Sequence, residues 1–125
     1  MSRQLCAIWR DDDVQGRMIE AWVISNPRGP VDQKNEHGFW IYQNGADYSA
    51  GPMLYGYRNF IPGILESRHG SSIFYHVHPF TQAEGFPELG GWDAGFMRRN
   101  PGIYYIIFGY TSRGPRFQEF DLRGH

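Results

Sequence analysis

Only one cysteine, Cys6, occurs among the 125 residues, which excludes an internal disulfide framework. Such sparse use fits a reducing compartment. A lone thiol with no partnered base reads as a small buried side chain rather than a nucleophile. Long apolar runs are absent too. The N-terminal stretch Leu5-Cys6-Ala7-Ile8-Trp9 is too short for a signal peptide, and no segment is long enough to span a bilayer. The simplest expectation is a cytoplasmic protein with no membrane partner, leaving open secretion without a signal peptide or delivery into another cell. Charge of one sign is also missing. Twelve basic and 13 acidic residues give a net charge of −1, and no basic block or stripe appears, so nucleic acid is not an expected partner. The run Asp11-Asp12-Asp13 reads as a solvated turn ahead of a helix. Repeats and low-complexity tracts are lacking.

What is present suits one compact domain over residues 1–125. A hydrophobic content of 41% supplies a core, and the length is too small for two domains. Sixteen glycines and eight prolines cut the chain into short elements. A first helix is predicted from about Asp13 to Ser25, with Asp13 as N-cap and Val14, Met18, Ala21, Trp22 and Ser25 at helical spacing. Strands are predicted over Gly38–Tyr42 and Met53–Tyr57. The segment from Ser71 to His78 alternates cleanly, with Ile73, Tyr75 and Val77 on one face and Phe74, His76 and His78 on the other. A second helix is predicted over Gly91–Arg99, stopped by Asn100-Pro101-Gly102. Ile103–Tyr110 is nearly all apolar and reads as a strand covered on both faces. Phe117–Leu122 supplies a last strand. Helices interleaved with strands imply an α/β architecture, an α+β sandwich.

The chemistry concentrates in four residues. His76 and His78 stand one residue apart on a strand, which aims both imidazoles to one side, roughly 6–7 Å apart at the backbone. That is close enough to share one ion. A catalytic zinc site needs three protein ligands, and Asp93, in the first turn of the second helix, is the carboxylate that completes the set. Its place near a helix N-terminus favours the ionised form. A further carboxylate outside the ligand set can move protons, and Glu36, just before the Phe39–Tyr42 strand, is the candidate. Spacing alone does not bring that strand beside the histidines. Aromatic density at Trp40, Tyr42, Tyr48, Tyr55 and Tyr57 reads as sheet packing, with a substrate groove as the other reading.

These segments resemble the JAB/MPN (JAMM) metalloproteases. Asn35-Glu36-His37-Gly38-Phe39-Trp40-Ile41-Tyr42 resembles the family's glutamate-then-glycine strand, which carries the catalytic acid/base. Phe74-Tyr75-His76-Val77-His78-Pro79 resembles its His-X-His-Pro strand, and Gly90-Gly91-Trp92-Asp93 stands in the place of its Ser-X-X-Asp. Tyr104–Phe108 and Arg116–Leu122 are similar to the last two strands. Among bacterial branches the likeness is nearest to the toxin-associated domain-of-unknown-function-4329 family. The resemblance implies a mixed sheet flanked by two or three helices, a Zn2+ ion on His76, His78 and Asp93, and Glu36 as catalytic acid/base. It also implies hydrolysis of an amide, peptide or isopeptide bond in a protein or peptide substrate. Two departures stand out. Fourteen residues separate His78 from Asp93, more than the usual loop, and Gly90 replaces the serine that helps stabilise the oxyanion. Loss of such a donor costs on the order of 10²–10³ in rate; a backbone N–H, or less directly Ser71 or Ser72, could supply one.

Three alternatives remain. A non-catalytic binding module on the same fold would keep the motif without the activity, consistent with Gly90. A cupin would use Gly70, His76, His78, Glu84 and Gly91, whose spacing nearly reproduces that family's first metal motif, although no second-motif histidine follows Pro101-Gly102. A toxin attacking nucleic acid through the histidine pair is disfavoured by the missing basic stripe.

Overall fold

The computed structural model describes residues 1–85 and 91–124. The chain opens with two short helices, α1 (Arg3–Arg10) and α2 (Asp12–Ile24), and continues into β1 (His37–Asn44), β2 (Asp47–Ala50), β3 (Leu54–Tyr55) and β4 (Ile73–His78). Helix α3 (Gly91–Arg99), β5 (Tyr104–Thr111) and β6 (Gly114–Asp121) complete it. The strands form one mixed sheet in the order β2-β1-β4-β5-β6, with β3 pairing the start of β1. Among the described residues only β4 and β5 run parallel, joined by the segment that carries α3. The α+β class predicted from the sequence is what forms: among the described residues, one mixed sheet with three α-helices.

Residue parity along each strand decides what each face buries. On β4, Ile73, Tyr75 and Val77 point toward α1 and α2, where they join Phe39, Ile41, Tyr104 and Ile106 against Leu5, Ile8, Val14, Met18 and Ala21. Each fully buried aliphatic or aromatic side chain of this size contributes about 1.5–3 kcal/mol. The Tyr75 hydroxyl donates to the Met18 carbonyl at 3.2 Å, fixing α2 to the sheet. The even residues face the other way, and Phe74 packs with Trp40, Tyr105 and Ile107 against Ile61, Ile64 and Met97 of α3. Trp40 Nε1–H donates to the Ile64 carbonyl at 2.7 Å. His76 and His78 therefore project on the α3 face, at the carboxyl end of a parallel strand, where open α/β sheets place their ligands.

The N-terminal region differs from the sequence expectation. Helix α1 was not predicted; Ser2 caps it, its hydroxyl accepting from the Leu5 N–H at 3.0 Å. The cap of α2 is Asp11 rather than Asp13, with Oδ1 accepting from the Val14 N–H at 2.9 Å. Asp12 and Asp13 then fall in the first turn, where they complement the helix dipole. The helix ends at Ser25, after which Asn26 turns the chain at φ +59° and Pro27 stops it. Cys6 is half-buried on α1 rather than buried. Strand β2 was also not predicted, and β3 is only two residues long within the expected 53–57 region. No helix is long and apolar enough to cross a membrane among the described residues.

Candidate metal centre

Strand register explains how Glu36 reaches the histidines. β1 and β4 are antiparallel, with Gly38 opposite His76. Continuing that register by two residues brings position 36 opposite His78, on the same face of the sheet. Glu36 Oε2 lies 3.9 Å from His78 Nε2. Asp93 arrives from the first turn of α3, so the crossover from β4 to β5 delivers the second carboxylate to the same end of the sheet.

Four ligand atoms converge. His76 Nε2 is 3.2 Å from His78 Nε2 and 3.1 Å from Asp93 Oδ1, and His78 Nε2 is 2.8 Å from Asp93 Oδ2. One atom from each of Glu36, His76, His78 and Asp93 lies within 4.8 Å of every other. Ligand bonds of about 2.0–2.1 Å to a first-row ion place neighbouring ligand atoms roughly 3 Å or slightly more apart, so His76, His78 and Asp93 fit a single cation, with Glu36 Oε2 farther out at 3.9 Å from His78 Nε2. The donor chemistry agrees: two imidazole nitrogens and two carboxylates come together. Among the described residues Glu36 Oε1 is buried without a hydrogen-bond partner, and an unpaired buried polar atom calls for a specific explanation; His76 Nδ1 is also unpartnered, but it lies on the side of the ring away from the cluster. This group can hold a metal ion.

Burial shapes the acid–base behaviour. The Glu36 carboxyl is pushed up to about 8, chiefly by burial, with His78 opposing and Asp93 adding to the rise. Asp93 goes the other way. Burial works against its ionisation, but the neighbouring charge and hydrogen bonds of His76 and His78 outweigh it and hold the carboxyl well below the usual range. Two carboxylates a few ångströms apart thus have opposite tendencies, one to keep a proton and one to stay charged.

Two glycines make room for the histidines. A Cβ on Gly38 would stand 2.8 Å from His76 Cβ and inside contact distance of the Tyr75 carbonyl oxygen. A Cβ on Gly109, the register partner of His78 on β5, would stand 2.7 Å from His78 Cβ and overlap its carbonyl oxygen. Each imidazole-bearing residue is flanked by a strand partner with no side chain.

A tether missed in the sequence is Lys34. Its side chain is buried, and Nζ donates to the Pro79 carbonyl at 2.9 Å and to Glu84 Oε1 at 2.5 Å. It stands 5.6 Å from the Tyr110 ring centre. Lys34 precedes Glu36 by two residues and Pro79 follows His78, so one ammonium ties together the two strand ends that meet at the centre. The signal available in the sequence was its rarity, since Lys34 is the only lysine. His37, given no role from the sequence, is buried; its Nδ1 accepts from the Gly56 N–H at 3.1 Å. Burial lowers its pKa, and the Ile24 carbonyl acts against that.

The structure brings together His76, His78, Asp93 and Glu36. It does not bring Glu84, the carboxylate of the cupin spacing, which caps a short turn through the Thr81 N–H and pairs with Lys34. A single mixed sheet with helices also replaces the antiparallel double sheet of a cupin. Ser71, weighed as an alternative hydroxyl donor, binds the Ile41 carbonyl at the far end of β4. Gly90 lies outside the described residues.

Fold and centre define a class: a one-sheet α+β protein with a buried two-histidine, two-carboxylate cluster at the end of a parallel strand. No protein-family model, curated protein or solved structure matches the chain.

Proposed function

We propose that this protein is a zinc-dependent hydrolase of amide, peptide or isopeptide bonds, of the JAB/MPN type. The observation that carries it is the meeting of His76, His78 and Asp93 with a fourth buried carboxyl, Glu36, whose Oε1 has no hydrogen-bond partner among the described residues. His76 Nε2, His78 Nε2 and Asp93 would hold the ion. The ion, when bound, supplies Lewis acidity toward a carbonyl oxygen and toward a water molecule. In its ionised form Glu36 would take a proton from the attacking water and pass it to the departing amine. Gly38 and Gly109 keep the imidazoles in place, and Lys34 holds the two strand ends together. The order Glu, His-X-His, Asp along the chain supports the family assignment, and a toxin or effector setting follows from the bacterial branch it resembles.

Elemental analysis of purified wild type and His76→Ala tests the centre. Wild type is expected to carry about one zinc per chain and the variant far less. Equal metal content in both would overturn the site. Iron in place of zinc would overturn the hydrolase assignment, because two histidines and one carboxylate also suit non-haem iron. In the zinc-loaded protein, Glu36→Gln is expected to keep the metal and lose hydrolysis of isopeptide-linked or peptide amide substrates.

A further inference from the structure

We infer that the outer face of α2, along Gly16, Ile19 and Val23, is the contact surface for a second copy of this chain, with the two helices antiparallel. The pairing does not rest on the hydrolase proposal. His76 and His78 project on the opposite face of the sheet, so it leaves the centre uncovered.

Gly16 is the first observation. A glycine inside a helix weakens it relative to alanine, so the position calls for a reason. Each other glycine up to Gly85, and from Gly95 onward, has one within the chain. It either takes a left-handed φ or has another atom within 4 Å of where a Cβ would stand. Gly16 has neither: its φ is not left-handed, and nothing lies within 4 Å. It is exposed in the middle of α2. Neither conformation nor packing inside this chain requires a glycine there, whereas a close approach from outside does.

The second observation is what shares its line. Val23 follows Gly16 by about two turns of helix, so the two stand one above the other. They lie opposite the buried line of Val14, Met18 and Ala21. Val23 is 63% exposed, and Ile19, on the flank between them, 48%. A branched apolar side chain and a glycine gap on one stripe are the knob and the hole of a helix–helix contact.

Because both halves of the contact sit on the same stripe, the occupant is the same helix. A two-fold axis level with Ile19 and Glu20 sets Val23 of each copy over Gly16 of the other, and the two Ile19 side chains meet beside the axis. With no Cβ at Gly16 the helix axes can close to about 8 Å, the short end of the usual range. Charge decides the direction. Asp12 and Asp13 stand in the first turn of α2, and Arg28 lies in the turn that follows the helix. Antiparallel pairing brings the aspartates of each copy to the Arg28 end of the other, whereas parallel pairing sets aspartate against aspartate. Glu20, exposed on the flank away from Ile19, meets its own copy and opposes the pairing.

Sedimentation equilibrium of the full chain tests the pairing. A species of twice the 14.5 kDa chain mass is expected, at roughly 100 μM protein, above a dissociation constant of micromolar order. Val23→Asp is expected to be monomeric there, with a melting curve that shows it folded and with unchanged metal content. Gly16→Ala separates a contact from a bare surface. Its methyl raises the melting temperature of dilute protein through helix propensity, yet weakens association by about tenfold or more by holding the helices apart. Glu20→Gln tightens the dimer and Arg28→Glu loosens it. A wild type that stays monomeric at that concentration overturns the proposal, as does a dimer indifferent to Val23→Asp or to Gly16→Ala. A dimer that Arg28→Glu does not loosen, or that Glu20→Gln does not tighten, overturns the antiparallel two-fold.

Discussion

Replacing Glu36 by glutamine in the metal-free protein isolates one ionisation in the core of the site. The two side chains have nearly the same shape, so packing is preserved while the titration is removed. The wild-type carboxyl has its folded pKa raised from 4.5 to about 8, with burial the leading cause. A raised pKa means that the folded state prefers the protonated group. Its contribution to stability is complete below about pH 4.5 and is lost as pH rises toward 8, at up to about 1.4 kcal/mol for each pH unit. Over that window the wild type loses roughly 2–5 kcal/mol that Glu36→Gln keeps, a large share of an ordinary folding free energy. Asp93 titrates in the opposite sense and is common to both proteins, so it cancels in the comparison. Chemical denaturation with chelator at pH 5, 6.5 and 8 reads the difference. The variant is expected to match wild type at pH 5 and to exceed it increasingly toward pH 8. Parallel stability profiles would refute the claim that Glu36 is held protonated by burial.

Gly109→Ala should weaken metal binding by tenfold or more in a chelator competition, because the new methyl overlaps the backbone of His78. Overpacking of this kind also costs about 1–3 kcal/mol of stability, and unchanged affinity would show that β5 yields freely. Lys34→Met should lower stability by about 1–3 kcal/mol, since the Pro79 carbonyl loses a buried donor, and should reduce metal affinity as the 79–85 loop loosens. A melting temperature equal to that of wild type would refute the tether. Trp40→Phe should cost about 1–3 kcal/mol by denaturation, from the lost bond to the Ile64 carbonyl and the cavity left behind. A neutral result would show that the 61–64 segment repacks.

The sequence marks elements best where strong local signals bound them. Helix α3 runs over Gly91–Arg99 as predicted, because Asn100-Pro101-Gly102 cannot continue it. β4 was legible from its alternation, although the strand begins at Ile73 and not Ser71. Three successive aspartates offer three possible caps for α2, and only packing selects Asp11. Helix α1 is eight residues long and stable through Leu5 and Ile8 in the shared core, a tertiary effect with weak local signal. Asp47–Ala50 alternates, but four residues are too short a run to announce β2. For the site, residue types and spacing suffice for His76, His78 and Asp93 as a set. The adjacency of Glu36 is a property of the β1–β4 register, which no local pattern encodes. The two glycines opposite the histidines are visible only once the strands are paired.

Lys34 carries the only side-chain amine in the sequence, and it is shut away between Pro79 and Glu84. An amine-reactive ester can acylate it only when the 79–85 loop lifts. Apart from the α-amino group, which a peptide map separates, the chain therefore contains its own chronometer. The rate of Lys34 labelling, followed by mass spectrometry, measures how often the wall beside the histidines opens. Comparing that rate with and without zinc would report how far the ion closes the door, with no engineered probe.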